Sequence, residues 1–348
     1  MRVLVTGGEG YIGTVLVPAL LAEGHSVTVL DTGFHRDGRL FSYEHCATST
    51  MSMDLRKIDM GTLSGFEAVV HLGDLSNDPL SELDKGLTFE INHRAAVRLA
   101  RFAKDAGVGR FIYSSSCSVY GASGSESDDL STEETAVAPI TTYATCKALV
   151  EDALRELSDS TFNAVCLRNA TAFGASPRMR FDLVVNELTA QAFLDRNLVL
   201  TSDGSPWRPF VHVRDIAKAI CCCLTAPPET IRSEVFNVGD SRANHQIRNI
   251  CEIIGAVVPD CTVVLGELGG DQRNYRVDFS KINTALPGYS SAWTVELGVA
   301  EMYGTFQAIG LTRELLNHRL YRRLDQITHL VDSGFLDREL FWIETDES

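Results

Sequence analysis

Hydrophobic positions in the first half of the chain alternate between two spacings. Short apolar runs, typical of buried strands, alternate with longer stretches whose apolar residues recur every three or four positions, as on one face of a helix. The predicted strands cover Val3 to Val5, Ser26 to Leu30, Ala68 to Leu72, Arg110 to Ser114 and Ala164 to Leu167. The predicted helices cover Tyr11 to Glu23, Lys85 to Ala106 and Thr141 to Leu157. This alternation predicts an α/β fold, a doubly wound parallel sheet covered by helices.

After Arg168 the alternation becomes irregular, and Pro and Gly residues interrupt it. The predicted elements here are helices near Phe181 to Asp195 and Asn244 to Ile254, and short strands near Leu198, Phe210 and Val235. We therefore expect a large domain over residues 1–170 and a smaller α/β domain over residues 171–348. Residues 210–240 could return to the first domain.

Two further segments have distinct patterns. Ala122 to Ala138 is rich in Ser, Asp, Glu and Thr and lacks periodicity, which predicts a surface loop. Helical patterns at Arg313 to Asp325 and Ile327 to Asp332 predict a C-terminal extension. We expect its helices to cover the second domain.

The charge of the chain limits its partners. The 348 residues carry a formal net charge of −15, and no block of Lys and Arg compensates it. Such a chain repels phosphate backbones and anionic lipid, so we expect neither nucleic-acid nor membrane partners. The sequence begins without a charged leader, and no apolar run is long enough to span a bilayer, which predicts a cytoplasmic protein.

The nine cysteines are odd in number, and none of them forms a CxxC pair or a Cys/His cluster with zinc spacing. We therefore predict reduced, structural thiols and no metal site. The run from Cys221 to Cys223 continues the apolar pattern of Ile216 and Ile220, which is typical of a buried helix face.

Three glycines lie between the first predicted strand and the first predicted helix. Gly7 allows a tight turn, Gly10 a close approach of the backbone to a pyrophosphate, and Gly13 close packing of the helix on the strand. Because a helix N-terminus also favours an anion, the pattern predicts a dinucleotide site of the Rossmann type. Tyr11 and Ile12, which lie within the turn, are expected beside the cofactor.

Asp31 follows the second predicted strand, where its carboxylate can accept hydrogen bonds from the adenosine ribose hydroxyls. A carboxylate there repels a ribose phosphate, so the sequence favours NAD over NADP. Arg36 could accommodate NADP in principle, but a solvated loop charge is the simpler interpretation. Asp54 and Leu55 are expected to face the adenine, with a surface position as the alternative for Asp54.

Tyr143 and Lys147 are four residues apart on a predicted helix, so their side chains share one face. A phenol with a pKa of about 10 is a poor base at neutral pH, but an adjacent ammonium and a nicotinamide cation both favour the phenolate. The strand that begins at Arg110 runs into hydroxyl residues, among them Ser116 and Ser118, at the edge where a parallel sheet binds ligands. This combination predicts a site for proton transfer.

Together these motifs resemble the extended short-chain dehydrogenase/reductases, in particular the nucleotide-sugar epimerases and dehydratases, from Met1 to about Leu297. The run from Thr6 to Gly13 is similar to the family's TGxxGxxG, and Glu133 to Lys147 is similar to its ExxxxxPxxxYxxxK spacing. The resemblance implies NAD as cofactor and a nucleotide-diphosphate sugar as substrate. We also expect a homodimer.

The resemblance also implies roles for individual residues. Tyr143 corresponds to the acid/base, Lys147 to the residue that anchors the nicotinamide ribose and lowers the Tyr pKa, and Ser116 to the residue that orients the reacting hydroxyl. His71 to Asp74 is similar to the family's HLAA turn, which places Leu72 and Gly73 at the cofactor. Asn92 is similar to the Asn of its VNxxGT helix.

Substrate contacts are implied by motifs farther along the chain. Trp207 to Ala217 is similar to the RxFVHVxDIA element, whose leading Arg, here Arg208, binds the nucleotide phosphates. Arg273 resembles a second phosphate-binding Arg, and Asn186 an Asn that contacts the nucleotide. The remaining candidates are Ser76, Ser118 and, less directly, Arg180 and Arg276.

One departure from the family concerns the sugar. The family has RxxNVYGP after its sixth strand, whereas this chain has Arg168 to Ala175 with Thr171 at the Asn position. Thr171 is still expected to contact substrate, but the sugar contacts differ there.

Several functions share such a site. They are an epimerase acting at C4 or elsewhere, a 4-keto-sugar reductase, a 4,6-dehydratase, and a non-catalytic dinucleotide-binding regulator. In the family's 4,6-dehydratases the catalytic hydroxyl is followed by Asp and Glu, but Cys117 and Ser118 follow Ser116 here. Ser116, Tyr143 and Lys147 count against a non-catalytic regulator. We therefore expect an epimerase, with a reductase as the main alternative.

Overall fold

The computed structural model describes residues 1–42, 47–76, 78–121, 130–267 and 274–343. Its strands are β1 (Arg2–Thr6), β2 (Ser26–Asp31), β3 (Ser49–Ser52), β4 (Ala68–His71), β5 (Arg110–Ser116), β6 (Asn163–Asn169), β7 (Thr171–Phe173), β8 (Asn197–Ser202), β9 (Trp207–His212), β10 (Glu234–Val238), β11 (Asn244–Gln246) and β12 (Thr262–Glu267). Its α-helices are α1 (Gly13–Ala22), α2 (Asp78–Ser81), α3 (Lys85–Thr88), α4 (Ala96–Asp105), α5 (Thr142–Leu157), α6 (Val184–Asp195), α7 (Val213–Thr225), α8 (Pro228–Ile231), α9 (Ile247–Val257), α10 (Ser280–Ala285), α11 (Val295–Ile309), α12 (Arg313–Asn317) and α13 (Arg323–Asp332).

Seven of the described strands form one parallel sheet in the order β10-β6-β5-β4-β1-β2-β3. The chain winds from β1 through β2 to β3 on one side, and from β4 towards β10 on the other. Val3, Leu4 and Val5 in the central strand are fully buried, because helices cover both faces of the sheet. The predicted doubly wound sheet is confirmed.

Three smaller features complete the strand layout. β10 lies at the edge of the large sheet, beside β6. β9 belongs instead to a three-stranded sheet, between β7 and β11, and β8 pairs with β12. The residues between 210 and 240 are thus divided between the two halves of the protein.

The helix that carries the candidate catalytic pair begins as its sequence predicts. Thr141 precedes α5 and its Oγ1 accepts a hydrogen bond from the Ala144 amide, 3.2 Å away, which satisfies a donor of the first turn. Lys147, Val150 and Leu154 are buried on the face that packs against the sheet. This packing holds Tyr143 and Lys147 at the edge of the sheet.

The helix predicted over Lys85 to Ala106 is divided in the structure. α3 is followed by a π-helical turn over Phe89–Ala95 and then by α4. Asn92 lies in this turn, fully buried. Wider turns of this kind are frequent at functional sites.

The C-terminal extension packs differently from the expectation. α12 contacts α6 in the second half of the protein. In α13, however, Ile327 and Leu330 join a buried cluster with Leu75, Leu80 and Ile91, which belong to the first half. The expectation that the whole extension covers the second domain is therefore wrong, because its apolar face fits a patch on the dinucleotide half.

The cysteines of the described ranges are free thiols. Cys221 and Cys223 lie in the core on α7, as the apolar pattern predicts.

Among the described residues, no helix combines the length and the apolar character needed to cross a bilayer.

A buried ion pair supports the end of β5. The Arg168 guanidinium on β6 donates to both carboxylate oxygens of Glu151 on α5, with distances of 2.7 to 3.1 Å. Ser115 donates to the same carboxylate at 2.5 Å, and Arg168 also donates to the Tyr120 hydroxyl at 2.9 Å. Both charged side chains are almost fully buried and have lost their hydration. Each charge is therefore stabilised by its opposite partner instead of by water.

We predict that Glu151→Gln lowers the free energy of unfolding by about 3 kcal/mol, because it leaves the Arg168 charge buried and uncompensated. Denaturant unfolding followed by circular dichroism measures this loss. Asp152→Asn is the matched control, since Asp152 is the next residue on α5 and pairs with Arg155 at the surface. We expect the control to lose at most about 0.5 kcal/mol; equal losses in the two variants would contradict the prediction.

Candidate active site

A cleft of about 750 Å³ lies at the carboxyl ends of β1, β2, β4 and β5. All of the predicted catalytic and cofactor-binding residues line it except Asn92. Among the described residues, all of the predicted substrate residues line it except Asn186 and Arg276. Its position agrees with the general rule that open parallel sheets bind ligands where the strand order reverses.

The glycine-rich turn forms the floor of the cleft. Gly7 has φ +72°, and a Cβ there would lie 2.7 Å from the Leu72 backbone, so only glycine fits. A Cβ on Gly13 would lie 2.4 Å from the Gly8 carbonyl oxygen, so this glycine permits the close packing of α1. At Gly10 a Cβ would contact only the Gly7 carbonyl, and the space it would fill belongs to the cleft. The turn thus suits a ligand that approaches the backbone closely, as the diphosphate of a dinucleotide does.

Asp31 lies at the end of β2 beside this turn. Its carboxylate accepts hydrogen bonds from the backbone amides of Gly33, at 2.8 Å, and Glu9, at 3.0 Å. Burial raises the pKa of Asp31, and these hydrogen bonds oppose the increase. Arg36 ion-pairs with Glu9 at 3.0 Å, so its charge is already compensated next to Asp31. Since Glu9 and Arg36 compensate each other, the Asp31 carboxylate is the group that disfavours a phosphate on the adenosine ribose.

Asp54 and Leu55 line the same end of the cleft. The Asp54 carboxylate caps a short 3₁₀ turn by accepting from the Arg56 amide at 2.7 Å, and it also pairs with the Arg56 guanidinium at 2.7 Å. The carboxylate is therefore held by protein donors, while Leu55 is buried. Leu72 and Gly73 follow β4 directly and lie against Gly7.

The three candidate catalytic residues lie together. Ser116 ends β5, and its Oγ accepts a hydrogen bond from the Ser118 amide at 3.1 Å. On α5, the Lys147 Nζ lies 5.4 Å from the centroid of the Tyr143 ring. Burial raises the pKa of Tyr143, and the Lys147 charge lowers it without outweighing the burial. The expected downward influence of Lys147 is present, but the net pKa shift of Tyr143 is upward.

A carboxylate holds Lys147 in place. The Lys147 ammonium donates to Asp74 Oδ2 at 2.8 Å and to the Ser114 carbonyl. Asp74 also accepts from the Tyr113 hydroxyl at 3.2 Å, and its Oδ1 lies 3.2 Å from His71 Nε2. Although burial disfavours both charges, their attraction holds the pKa of Asp74 well below and that of Lys147 above the ordinary values. The lysine therefore stays charged and oriented towards the cleft.

Two predicted ligand contacts do not reach the cleft. The Asn92 side chain accepts from the Leu75 amide at 2.8 Å and donates to the Leu75 carbonyl at 2.9 Å. Asn186 accepts from the Gly174 amide at 3.0 Å and donates to the Arg180 carbonyl at 3.0 Å. Both amides are occupied by backbone groups, so they hold the loops that line the site.

The candidate substrate residues lie at several places in the cleft. Arg208 on β9 is buried, with its guanidinium 5.5 Å from the centroid of the Tyr275 ring. Thr171 begins β7, and Ser76 accepts a hydrogen bond from Arg180 at 3.3 Å. Arg273 lies outside the described residues, as do residues 122–129 of the predicted loop from Ala122 to Ala138.

Sequence reasoning missed some residues that line the cleft. Asp74 and Arg323 have no role in the predicted site, and Arg180 is only a secondary candidate there. Asp74 could have been predicted from the sequence as a site residue, because it is an acidic residue shortly after a buried strand, at the edge of the sheet that binds ligands. Arg323 could not be identified in this way, because it lies 310 positions after Gly13, the end of the glycine-rich turn with which it lines the cleft.

Comparisons with known proteins agree with this geometry. A model of the NAD dependent epimerase/dehydratase family matches residues 3–239. A UDP-glucose 4-epimerase of Mycolicibacterium smegmatis is 30% identical over 314 residues, which cover 86% of this chain and 96% of that protein. The structure of a UDP-N-acetylglucosamine 4-epimerase from Methanobrevibacter ruminantium M1, in complex with UDP-N-acetylmuramic acid, is 27% identical with a TM-score of 0.75, and the match covers 88% of this chain and 98% of that one.

A dehydratase is also similar in fold. The structure of an NAD dependent NDP-hexosamine 5,6-dehydratase involved in tunicamycin biosynthesis has a TM-score of 0.76. It is 24% identical, and the match covers 88% of this chain and 98% of that one. The fold alone therefore does not separate epimerases from dehydratases.

We predict that the protein binds NAD more tightly than NADP, and that Asp31→Ala weakens NAD binding by roughly 10-fold or more, since it removes a hydrogen-bonding charged group. The same change should reduce the preference for NAD. Calorimetry with both dinucleotides measures these affinities, with Asp37→Ala in the same loop as the control. Tighter binding of NADP than NAD to the unmodified protein would contradict the assignment of Asp31.

Proposed function

Because the chain belongs to the NAD dependent epimerase/dehydratase family, we propose that it is a nucleotide-sugar epimerase that inverts the configuration of the sugar at C4. The observation that carries the proposal is that Ser116, Tyr143 and Lys147 line the same cleft as the glycine-rich turn and Asp31. The glycine-rich turn and Asp31 would hold NAD, which would supply reversible hydride transfer at the sugar carbon. The names of the relatives favour uridine diphosphate as the nucleotide.

In this proposal Tyr143 exchanges a proton with the sugar hydroxyl. Because burial raises its pKa, the phenol keeps its proton at neutral pH, which suits donation to a ketone oxygen. Proton removal from an alcohol needs further positive charge near the phenol, and the oxidised nicotinamide ring and Lys147 both provide it.

Lys147 and Ser116 have supporting roles. Lys147 has three N–H donors, and within the described residues Asp74 and Ser114 take two of them. A third is left to bind a ribose hydroxyl while the charge of Lys147 acts on Tyr143. Ser116 faces the cleft at the end of β5 and orients the reacting hydroxyl of the sugar.

The residues around Ser116 argue against dehydration. Elimination of water needs one group that donates a proton to the leaving hydroxyl and another that removes a proton from carbon. Burial raises the pKa of the Cys117 thiol far above neutral, and its Sγ donates to the Arg168 carbonyl at 3.1 Å. Cys117 therefore serves as a structural thiol, and Ser118 is too weak an acid to take either role.

The two remaining alternatives also fit less well. A keto-sugar reductase consumes its reduced dinucleotide, and such enzymes often draw on NADPH, whereas Asp31 disfavours the extra phosphate of that cofactor. A non-catalytic regulator has no need for a tyrosine and a buried, charged lysine in the cleft. The Tyr143 and Lys147 arrangement therefore supports an enzyme.

We further propose that the two halves of the protein bind different ligands. Residues 1–170, with β10, bind NAD, and most of residues 171–348 bind the nucleotide sugar through Arg208 and Thr171. A second phosphate contact from Arg273 remains a prediction of the sequence. A cytoplasmic location and a homodimer also remain predictions of the sequence, and light scattering of the purified protein tests the second.

We predict that the protein converts UDP-glucose, or another nucleotide hexose of a tested panel, to its C4 epimer. Tyr143→Phe should lower kcat by roughly 10²- to 10⁴-fold, which is the usual contribution of a positioned acid/base. NMR of the products measures the reaction. Tyr303→Phe is the control, because its hydroxyl bonds to Arg196 away from the cleft. Formation of a 4-keto-6-deoxy sugar, or full activity of Tyr143→Phe, would contradict the proposal.

We predict that Arg208→Ala weakens nucleotide-sugar binding and leaves NAD binding unchanged. A charge-assisted hydrogen bond to a buried diphosphate contributes about 2 to 3 kcal/mol, which corresponds to a dissociation constant roughly 30- to 150-fold higher. Calorimetry with UDP measures this effect, and Arg242→Ala, at an exposed arginine paired with Asp240, is the control. Unchanged affinity for UDP would remove Arg208 from the site.

A further inference from the structure

Three buried arginines lie near one another, and one of them contacts the glycine-rich turn. Arg178 and Arg180 follow β7, and Arg323 begins α13 in the C-terminal extension. Their exposed fractions are 1%, 7% and 4%. We refer to these three residues as the arginine cluster; Arg180 and Arg323 line the cleft directly.

In the arginine cluster, the side chain of Arg323 lacks a hydrogen-bond partner at one nitrogen within the described residues. Arg180 pairs with Asp182 through two hydrogen bonds of 3.0 and 2.9 Å. The same carboxylate also accepts a hydrogen bond from the backbone amide of Arg323, at 3.4 Å. Within the described residues, the Nη2 of Arg323 is buried and has no hydrogen-bond partner. A buried cation without a partner is costly, so this arrangement favours an anion in the cleft.

The electrostatics of the neighbouring groups agree with this preference for an anion. Burial and the charge of Arg180 lower the pKa of Arg323 to about 9, although Asp182 and Asp31 oppose the decrease. His35 also lines the cleft, and burial together with the arginine cluster holds its pKa well below the ordinary value. An anionic ligand would relieve the repulsion among these groups.

Arg178 and the segment that carries it contact the glycine-rich turn, at the dinucleotide end of the cleft. The Nε of Arg178 donates to the Glu9 carbonyl, inside the glycine-rich turn, at 3.1 Å. Ser176, two residues before it, donates to the Tyr11 carbonyl at 2.8 Å. The segment that carries two of the three arginines therefore packs directly on the turn expected to receive a diphosphate.

The C-terminal extension is fixed at the same end. Gln326 on α13 donates to the Phe34 carbonyl at 3.0 Å, and the Trp342 indole donates to the Thr32 carbonyl at 2.8 Å. Both acceptors lie in the loop that follows Asp31. The rings of Phe34 and Trp342 also pack together, with their centroids 5.8 Å apart. Arg323 thus belongs to a segment anchored on the loop beside the adenosine ribose.

We propose that Arg180 and Arg323, supported by Arg178, bind the diphosphate of NAD together with the glycine-rich turn, so that the C-terminal extension covers the bound cofactor. The proposal rests on NAD as the cofactor of the proposed function, but not on the reaction catalysed. A guanidinium supplies fork-shaped donors that suit phosphate oxygens, whereas the turn supplies backbone amides. An enzyme that regenerates NAD in every turnover has no need to release it, which is consistent with a covered cofactor.

The substrate also carries a diphosphate, and the positions of the residues favour the cofactor. Arg178 bonds to the glycine-rich turn itself, and the extension is anchored on the loop after Asp31. Arg208, the candidate ligand of the nucleotide sugar, lies instead on β9 in a different sheet, next to Tyr275. The two diphosphates therefore have separate sets of arginines.

The test is the change Arg323→Met, which removes the charge and keeps an unbranched apolar chain. We expect the dissociation constant of NAD, measured by calorimetry on protein freed of bound nucleotide, to rise roughly 10- to 100-fold. ADP-ribose should lose affinity by a similar factor, whereas the affinity for UDP should change less than about twofold. Arg323→Lys keeps the positive charge but lacks the planar, two-pronged guanidinium. We expect it to lose an intermediate amount of NAD affinity.

The matched control is Arg313→Met, which removes an arginine of the same extension that pairs with Asp195 at the surface. We expect it to leave NAD binding unchanged. Unchanged NAD affinity in Arg323→Met, or a loss confined to UDP, would overturn the proposal. A protein that binds NAD through Arg323 but epimerises no sugar would instead contradict only the proposed reaction.

Thermal unfolding separates a binding role from a structural one. Because the Arg323 guanidinium is buried and its Nη2 has no hydrogen-bond partner within the described residues, Arg323→Met should leave the Tm of the nucleotide-free protein equal or higher. The increase in Tm on adding NAD should be smaller than in the unmodified protein. A lower Tm in the nucleotide-free state with an undiminished NAD-induced increase would assign Arg323 to folding alone and overturn the proposal.

Discussion

The site depends on one topological constraint, the reversal of strand order between β1 and β4. Strands on the two sides of this point send their connections to opposite faces of the sheet, so the loops at their carboxyl ends leave a crevice. The glycine-rich turn follows β1, Asp31 ends β2, and Asp74 lies three residues after β4. Ser116 ends β5 on the far side. Residues that are distant in the sequence therefore meet in one cleft because their strands are neighbours.

Buried ion pairs then hold the reactive groups in position. Asp74 keeps Lys147 charged and directed towards the cleft, and Glu151 with Arg168 supports the end of β5 next to Ser116. Such pairs contribute little net stability, because each charge loses its hydration on burial. They fix geometry instead, and this suits a reaction in which a hydride leaves the sugar carbon while a proton leaves the hydroxyl oxygen on that carbon, each in a fixed direction.

The sequence predicts those features whose signals are local. The apolar runs identify the strands of the large sheet, and the spacing of Tyr143 and Lys147 identifies the face of α5 that meets the cleft. Features that depend on distant partners are not predictable in this way. Asn92 and Asn186 match ligand-binding positions by motif, but nearby backbone groups take their hydrogen bonds. The apolar stripe of α13 shows that the helix packs against something, but not which half of the protein receives it.

The central claim is that the protein oxidises a nucleotide sugar transiently and reduces it again within one active site. Turnover of UDP-glucose, or of the nucleotide hexose that the enzyme accepts, with deuterium at C4 and in unlabelled water tests this claim most directly. We predict that the C4 epimer retains the deuterium, because the hydride passes to the cofactor and back without exchange with solvent. Loss of the deuterium to water would contradict the claim, since it would show that the carbon is deprotonated rather than oxidised.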